Sequence, residues 1–144
     1  MKILVPVDGS AYSMEAVKAA AGYAKAKKAE VTLITVSPFV AGFDLEISAG
    51  AMDKLNESMK SRGEDVLSKA QAILTADGVS AKTVMSSSIS AADEIIGLAE
   101  KEKMDLIIIG NRGLGGAATR FFMGSVASKV AAHAPCSVYI VKTA

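Results

Sequence analysis

A single cysteine, Cys136, stands in this chain, so an internal disulfide framework is excluded. Tryptophan is absent. No apolar run approaches the roughly 18–20 residues that a membrane span needs. The opening Met1-Lys2-Ile3-Leu4-Val5-Pro6 enters a strand pattern at once, without the layout of a secretory signal. Lack of a signal and of disulfides sets a cytoplasmic location as the expectation. There is no Gly-Lys pair, which removes the Walker loop Gly-x-x-x-x-Gly-Lys-Ser/Thr. Acid is missing from the C-terminal part: all 15 acidic residues lie at or before Asp105. The net charge of +1 gives no global attraction to nucleic acid.

What is present is a regular alternation of short aliphatic runs and helical periodicity. Lys2–Val7 reads as a buried strand ended by the turn residues Asp8-Gly9-Ser10, with Ser10 or Ser13 as a cap for the next helix. That helix carries Met14, Val17, Ala21 and Ala24 on one side and lysines in its last turn. Val31–Ser37 is a β-branched strand stopped by Pro38. After an irregular connection from Phe39 to Ser48, Met52, Leu55, Met59, Val66, Ala70 and Ile73 form a helical stripe. Gly63 weakens this helix locally, and Asp77-Gly78 ends it. Val79–Ser86 is a partly polar strand, suited to a place near a sheet edge. Ser90 to Asp93 has capping-box-like spacing before a helix with Ala92, Ile95, Ile96 and Ala99 on its buried face. Met104–Ile109 is the fourth strand, its run Leu106–Ile109 purely apolar, hence central and covered on both sides. Ser125–His133 forms a short helix broken by Pro135, and Ser137–Lys142 is the last strand.

This βαβαβαβαβ succession, with helices long enough for crossovers, implies a five-stranded parallel sheet with helices on both faces. The whole chain, 1–144, reads as one domain, with no internal repeat or linker. Ligands of such sheets bind beyond the carboxyl ends of the strands, where neighbouring connections diverge. The loops after strands one and four are candidates to flank that crevice, which gives the order 3-2-1-4-5.

The stretch after strand four is the least explained by folding alone. Five of the 12 glycines fall between Gly110 and Gly124. Glycine is kept where backbone must turn left-handed or approach something closely. A Gly-rich loop between strand and helix offers unpaired N–H groups to an anion, commonly phosphate. The basic residues Arg112, Arg120, Lys129 and Lys142, with no acid among them, favour the same ligand. A dinucleotide fingerprint matches formally at Gly113-Leu114-Gly115-Gly116-Ala117-Ala118. It lacks the acidic residue expected about 20 positions later and precedes the last strand instead of following the first. What remains is Gly110-x-x-Gly113, a spacer, and Gly124-Ser125 opening a helix, with the N–H groups of Ser125 and Val126 as phosphate donors.

On Val5-Pro6-Val7-Asp8-Gly9-Ser10, Asp105–Gly116, Gly124-Ser125-Val126 and Ala134-Pro135-Cys136-Ser137-Val138, the chain resembles the universal stress protein family. The resemblance spans the chain. It implies an adenine-nucleotide-binding α/β sheet of order 3-2-1-4-5 and an ATP-binding regulatory role in the stress response. The family's ATP-binding branch places nine residues between Gly-x-x-Gly and Gly-Ser/Thr; this chain has ten. By this resemblance Pro6, Val7 and Asp8 line the adenosine side and Val36 meets adenine through its backbone. Gly110, Asn111, Arg112 and Gly113 pass along ribose and phosphates, and Gly124, Ser125 and Val126 hold the terminal phosphates. Asp8 is also the candidate ligand for Mg²⁺ or Mn²⁺ arriving with ATP. The family's use of its last strand implies a homodimer through Ser137, Val138, Tyr139, Ile140 and Val141, an apolar edge that needs covering.

Two other functions stay open. One is a dimeric interaction module that no longer binds nucleotide, its glycines serving only the turn. The other is a slow ATPase, with Asp8, or Asp44 and Glu46, as the base. Arg112 and Arg120 have an ordinary reading as solvated surface residues, Ser125 as a helix cap, His133 as a favourable C-terminal residue and Cys136 as a small core residue.

Overall fold

A computed structural model describes residues 1–38, 48–114 and 123–143. Arg120, Asp44, Glu46 and most of the spacer between Gly113 and Gly124 lie outside these residues. The elements alternate as the hydrophobic pattern predicts: β1 (Lys2–Pro6), α1 (Ala11–Lys27), β2 (Glu30–Pro38), α2 (Ala49–Ala76), β3 (Ala81–Ser88), α3 (Ala91–Lys101), β4 (Leu106–Gly110), α4 (Ser125–His133) and β5 (Ser137–Val141). The five strands form one sheet of order β3-β2-β1-β4-β5, with every pairing parallel.

The uniformly apolar strands divide their side chains between two layers, because neighbouring residues of a strand point to opposite faces. In β1, Ile3 and Val5 pack with Val17, Ala20, Leu67 and Leu74 of α1 and α2, while Leu4 joins the α3 and α4 side. β4 does the same. Ile108 faces the first layer, and Ile107 and Ile109 face Ile95, Ala127 and Val130 in the second. Each of the buried Val, Leu and Ile side chains contributes about 1.5–3 kcal/mol of transfer free energy.

The structure decides or shifts several details of the expectation. Ser10, not Ser13, caps α1, its hydroxyl accepting from Ser13 N at 3.1 Å. α2 runs unbroken through Gly63, which is buried because Met85 and Thr35 of the sheet occupy the space a side chain would take. The N-terminal part of the α2 stripe is only half-buried at Met52, Leu55 and Met59, and the core positions are Gly63, Leu67, Ala70 and Leu74. Length explains this. The 28 residues of α2 rise about 42 Å, more than the roughly 30 Å of the nine-residue β2, so the helix outruns the sheet it covers. Lastly, β3 begins at Ala81 and continues to Ser88, two residues later at each end than its composition suggests.

Candidate functional site

β1 and β4 are neighbours whose crossovers leave in opposite directions, and a cavity of about 450 Å³ opens at their carboxyl ends. Ten of the eleven sequence-predicted site residues line it: Pro6, Val7, Asp8, Val36, Gly110, Arg112, Gly113, Gly124, Ser125 and Val126. Its floor and one wall are apolar, from Ile34 and Val36 of β2, Ile109 of β4, and Ala91 and Ile95 of α3. The first turn of α4, with Gly124 as its N-cap, adds to the lining.

That turn is open. No side chain caps α4 among the described residues, and its first turn contains no acid. Here the expectation that Ser125 itself caps the helix fails, because Ser125 is the first helical residue and Gly124 precedes it. Gly124 N is taken by Asn111 O at 2.7 Å, and Gly124 O accepts from Ser128 N at 2.9 Å. The next N–H groups, of Ser125, Val126 and Ala127, belong to residues on the cavity wall. A helix start with no side-chain cap bond and no acid in its first turn is a place of positive potential suited to an anion.

Asp8 is bound into the scaffold. Its Oδ1 accepts from Ser10 N at 2.9 Å and its Oδ2 from Leu114 N at 3.1 Å. The carboxylate therefore clasps the Gly-rich loop to the loop after β1. Gly113 permits this, since a Cβ there would lie 2.6 Å from Asp8 Oδ2. Gly110 has a similar constraint: its Cβ would meet the carbonyl oxygen of Tyr12 at 2.7 Å. Arg112 lies with its guanidinium carbon 5.9 Å from the centre of the Tyr12 ring, a cation–π distance. A carboxylate has about four lone-pair sites, so Asp8 keeps capacity for a further donor or cation. Among the described residues no group of three His, Cys, Asp or Glu gathers to hold a metal.

Asn111 departs from its predicted place. It does not line the cavity; its N–H donates to Val141 O at 3.1 Å and its Oδ1 accepts from Thr143 N at 3.3 Å. His133 is exposed in the last turn of α4, a helix length from the cavity. Cys136 is half-buried, and burial raises its thiol pKa. Sequence reasoning missed Ser13, Ile34, Ala91, Ile95, Ile109, Leu114, Met123 and Ala127 in the lining. Ile34 was findable, being two residues from Val36 on the same face of β2. Ala91 and Ile95 carried no signal beyond their helix, since only the crossover brings the start of α3 to the cavity.

The sequence profile described as "Universal stress protein family" matches residues 1–142. A universal stress protein of Methanocaldococcus jannaschii is 40% identical over 98% of this chain and 81% of its own length. Among solved structures, the universal stress protein UspA from Lactobacillus plantarum superposes with a TM-score of 0.82 at 27% identity, covering 98% of this chain and 97% of that one. A universal stress protein in complex with cAMP superposes with a TM-score of 0.75 at 26% identity, covering 100% of this chain and 98% of the other.

Proposed function

The chain belongs to the universal stress protein family, and on that premise we propose that it is an ATP-binding regulatory protein of the stress response. The observation that carries this reading is the pairing, in one cavity, of an apolar slot with an uncapped helix start. Adenine fits the slot between Ile34, Val36 and Ile95, with backbone at Val36 and Val7 for its polar edge. The ribose lies over Asp8 and Gly110, and the phosphates run past Arg112 and Gly113 to the N–H groups of Ser125 and Val126. The relative solved with cAMP supports the ligand class.

Mg²⁺ or Mn²⁺ enters with the phosphates. Asp8 supplies one oxygen, and a hard cation takes six or more, so the ion rides on the nucleotide instead of preceding it. Among the described residues the titratable side chains on the cavity wall are Asp8 and Arg112. Asp8 is held by two backbone N–H groups, and neither residue stands as a free base beside the α4 start. Binding without fast turnover is part of this proposal. The protein acts as one domain from 1 to 144 in the cytoplasm. It pairs as a homodimer through the open edge of β5, Ser137–Val141, where Tyr139 is exposed.

Equilibrium binding of purified protein to ATP, ADP, AMP and NAD tests the reading. Micromolar or tighter binding of an adenine nucleotide is expected, and Gly124→Asp, which puts a carboxylate at the helix start, is expected to weaken ATP more than AMP. No affinity for any of the four overturns it. A second reading, a nucleotide-free interaction module, draws on one observation: Tyr12 O and Asp8 Oδ2 already account sterically for Gly110 and Gly113. The same titration decides between them.

A further inference from the structure

Asn111 is surrounded by the phosphate-binding loop yet contributes nothing to the cavity wall. Its three polar contacts run elsewhere. Its carbonyl holds the N–H of Gly124, the N-cap of α4, at 2.7 Å. Its own N–H goes to Val141 O at 3.1 Å, and its side-chain Oδ1 receives the N–H of Thr143 at 3.3 Å. The approach at Gly124 is close as well, with Arg112 Cα 3.3 Å and Asn111 O 3.4 Å from where a Cβ would stand. One residue thus grips the start of α4 on one side and the exit of β5 on the other.

From this geometry we infer that Asn111 is a positioning residue that couples the phosphate end of the cavity to the exit of β5. The step is mechanical. The N–H groups of Ser125 and Val126 point where Gly124 directs them, and Gly124 is fixed by the Asn111 carbonyl. That carbonyl is fixed in turn by the two bonds from Asn111 to the β5 exit. Shifting Val141–Thr143 therefore shifts the donors that receive phosphate, and an anion that draws in those donors pulls on the β5 exit. Linkage makes the effect reciprocal. The inference rests on the nucleotide reading for its ligand, but the grip itself needs no ligand.

The test uses Asn111→Ala, which deletes the acceptor, Asn111→Asp, which keeps it, and Thr143→Pro, which deletes the donor. None of these side chains lines the cavity. In nucleotide-free protein, amide hydrogen exchange at Gly124 is expected to quicken about fivefold in Asn111→Ala and Thr143→Pro, the loss of one net hydrogen bond, with Asn111→Asp close to the parent. ATP affinity is expected to fall by about the same fivefold in those two variants, and by no more in the double variant, because both remove one contact. Unchanged exchange at Gly124 in both overturns the inference. So does additive loss in the double variant, or unchanged ATP affinity in both beside a parent that binds. A parent that binds no nucleotide, with exchange at Gly124 quickened as expected, overturns the nucleotide reading and leaves the grip of Asn111 established.

Discussion

Single atoms decide how this site is built. At Gly110 the chain passes so close to Tyr12 that a methyl group would overlap backbone, which has no flexible end to yield. Gly110→Ala is therefore expected to cost about 1–3 kcal/mol through overpacking, whereas Gly97→Ala, with nothing within 4 Å, is expected to gain roughly 0.5–1 kcal/mol from helix propensity. Urea unfolding of the two variants checks both signs. The glycines were legible in the sequence as positions of special backbone, but what fills the space beside them was not, because Tyr12 and Asp8 are distant in sequence. Asp93 offers a pH test. Its carboxyl is held below the usual range first by Lys129, 2.8 Å away, and then by Ser90. A lowered folded pKa stabilises above the unfolded value, and that contribution fades as pH falls through the folded one. Lys129→Met should raise the Asp93 pKa toward its ordinary value, seen by titrating the carboxyl carbon by NMR; no movement would refute the pairing.

Among the elements, the apolar runs told strand from helix because length and periodicity both differed. β4 and α4 fell where the pattern put them, to within two residues and with no error, respectively. α2 was harder to read. Its stripe of methionines looked like core, yet the buried contacts lie at Leu67, Ala70 and Leu74, where the helix still has sheet beneath it. Sequence periodicity gives the face of a helix but not where its neighbour stops. Leu74→Ala should thus cost about 2–5 kcal/mol, and Met59→Ala well under half of that. Equal losses in thermal or urea unfolding would mean that the N-terminal turns of α2 pack as tightly as the C-terminal ones. The cavity wall from α3 was illegible for a related reason, since it depends on the crossover and not on any motif.

For the molecule as a whole, strand order was readable once two loops were assumed to share a ligand, and β5 came out at an edge. Its outer N–H and C=O groups are a pairing surface, which the proposed homodimer would cover with the matching strand of a second copy. Light scattering at high micromolar concentration should give twice the chain mass, with Tyr139→Lys shifting it toward one; a parent that stays at one chain mass would refute the pairing. The same strand order bears on how the protein is made. β1 emerges from the ribosome first and finds β2 soon after, but its other neighbour is β4, whose Ile107 pairs with Leu4 about a hundred residues later. At roughly 5–20 residues per second of synthesis, the middle of the sheet waits on the order of 5–20 s with one side open. Nascent chains arrested before β4 should accordingly be those that chaperones hold longest.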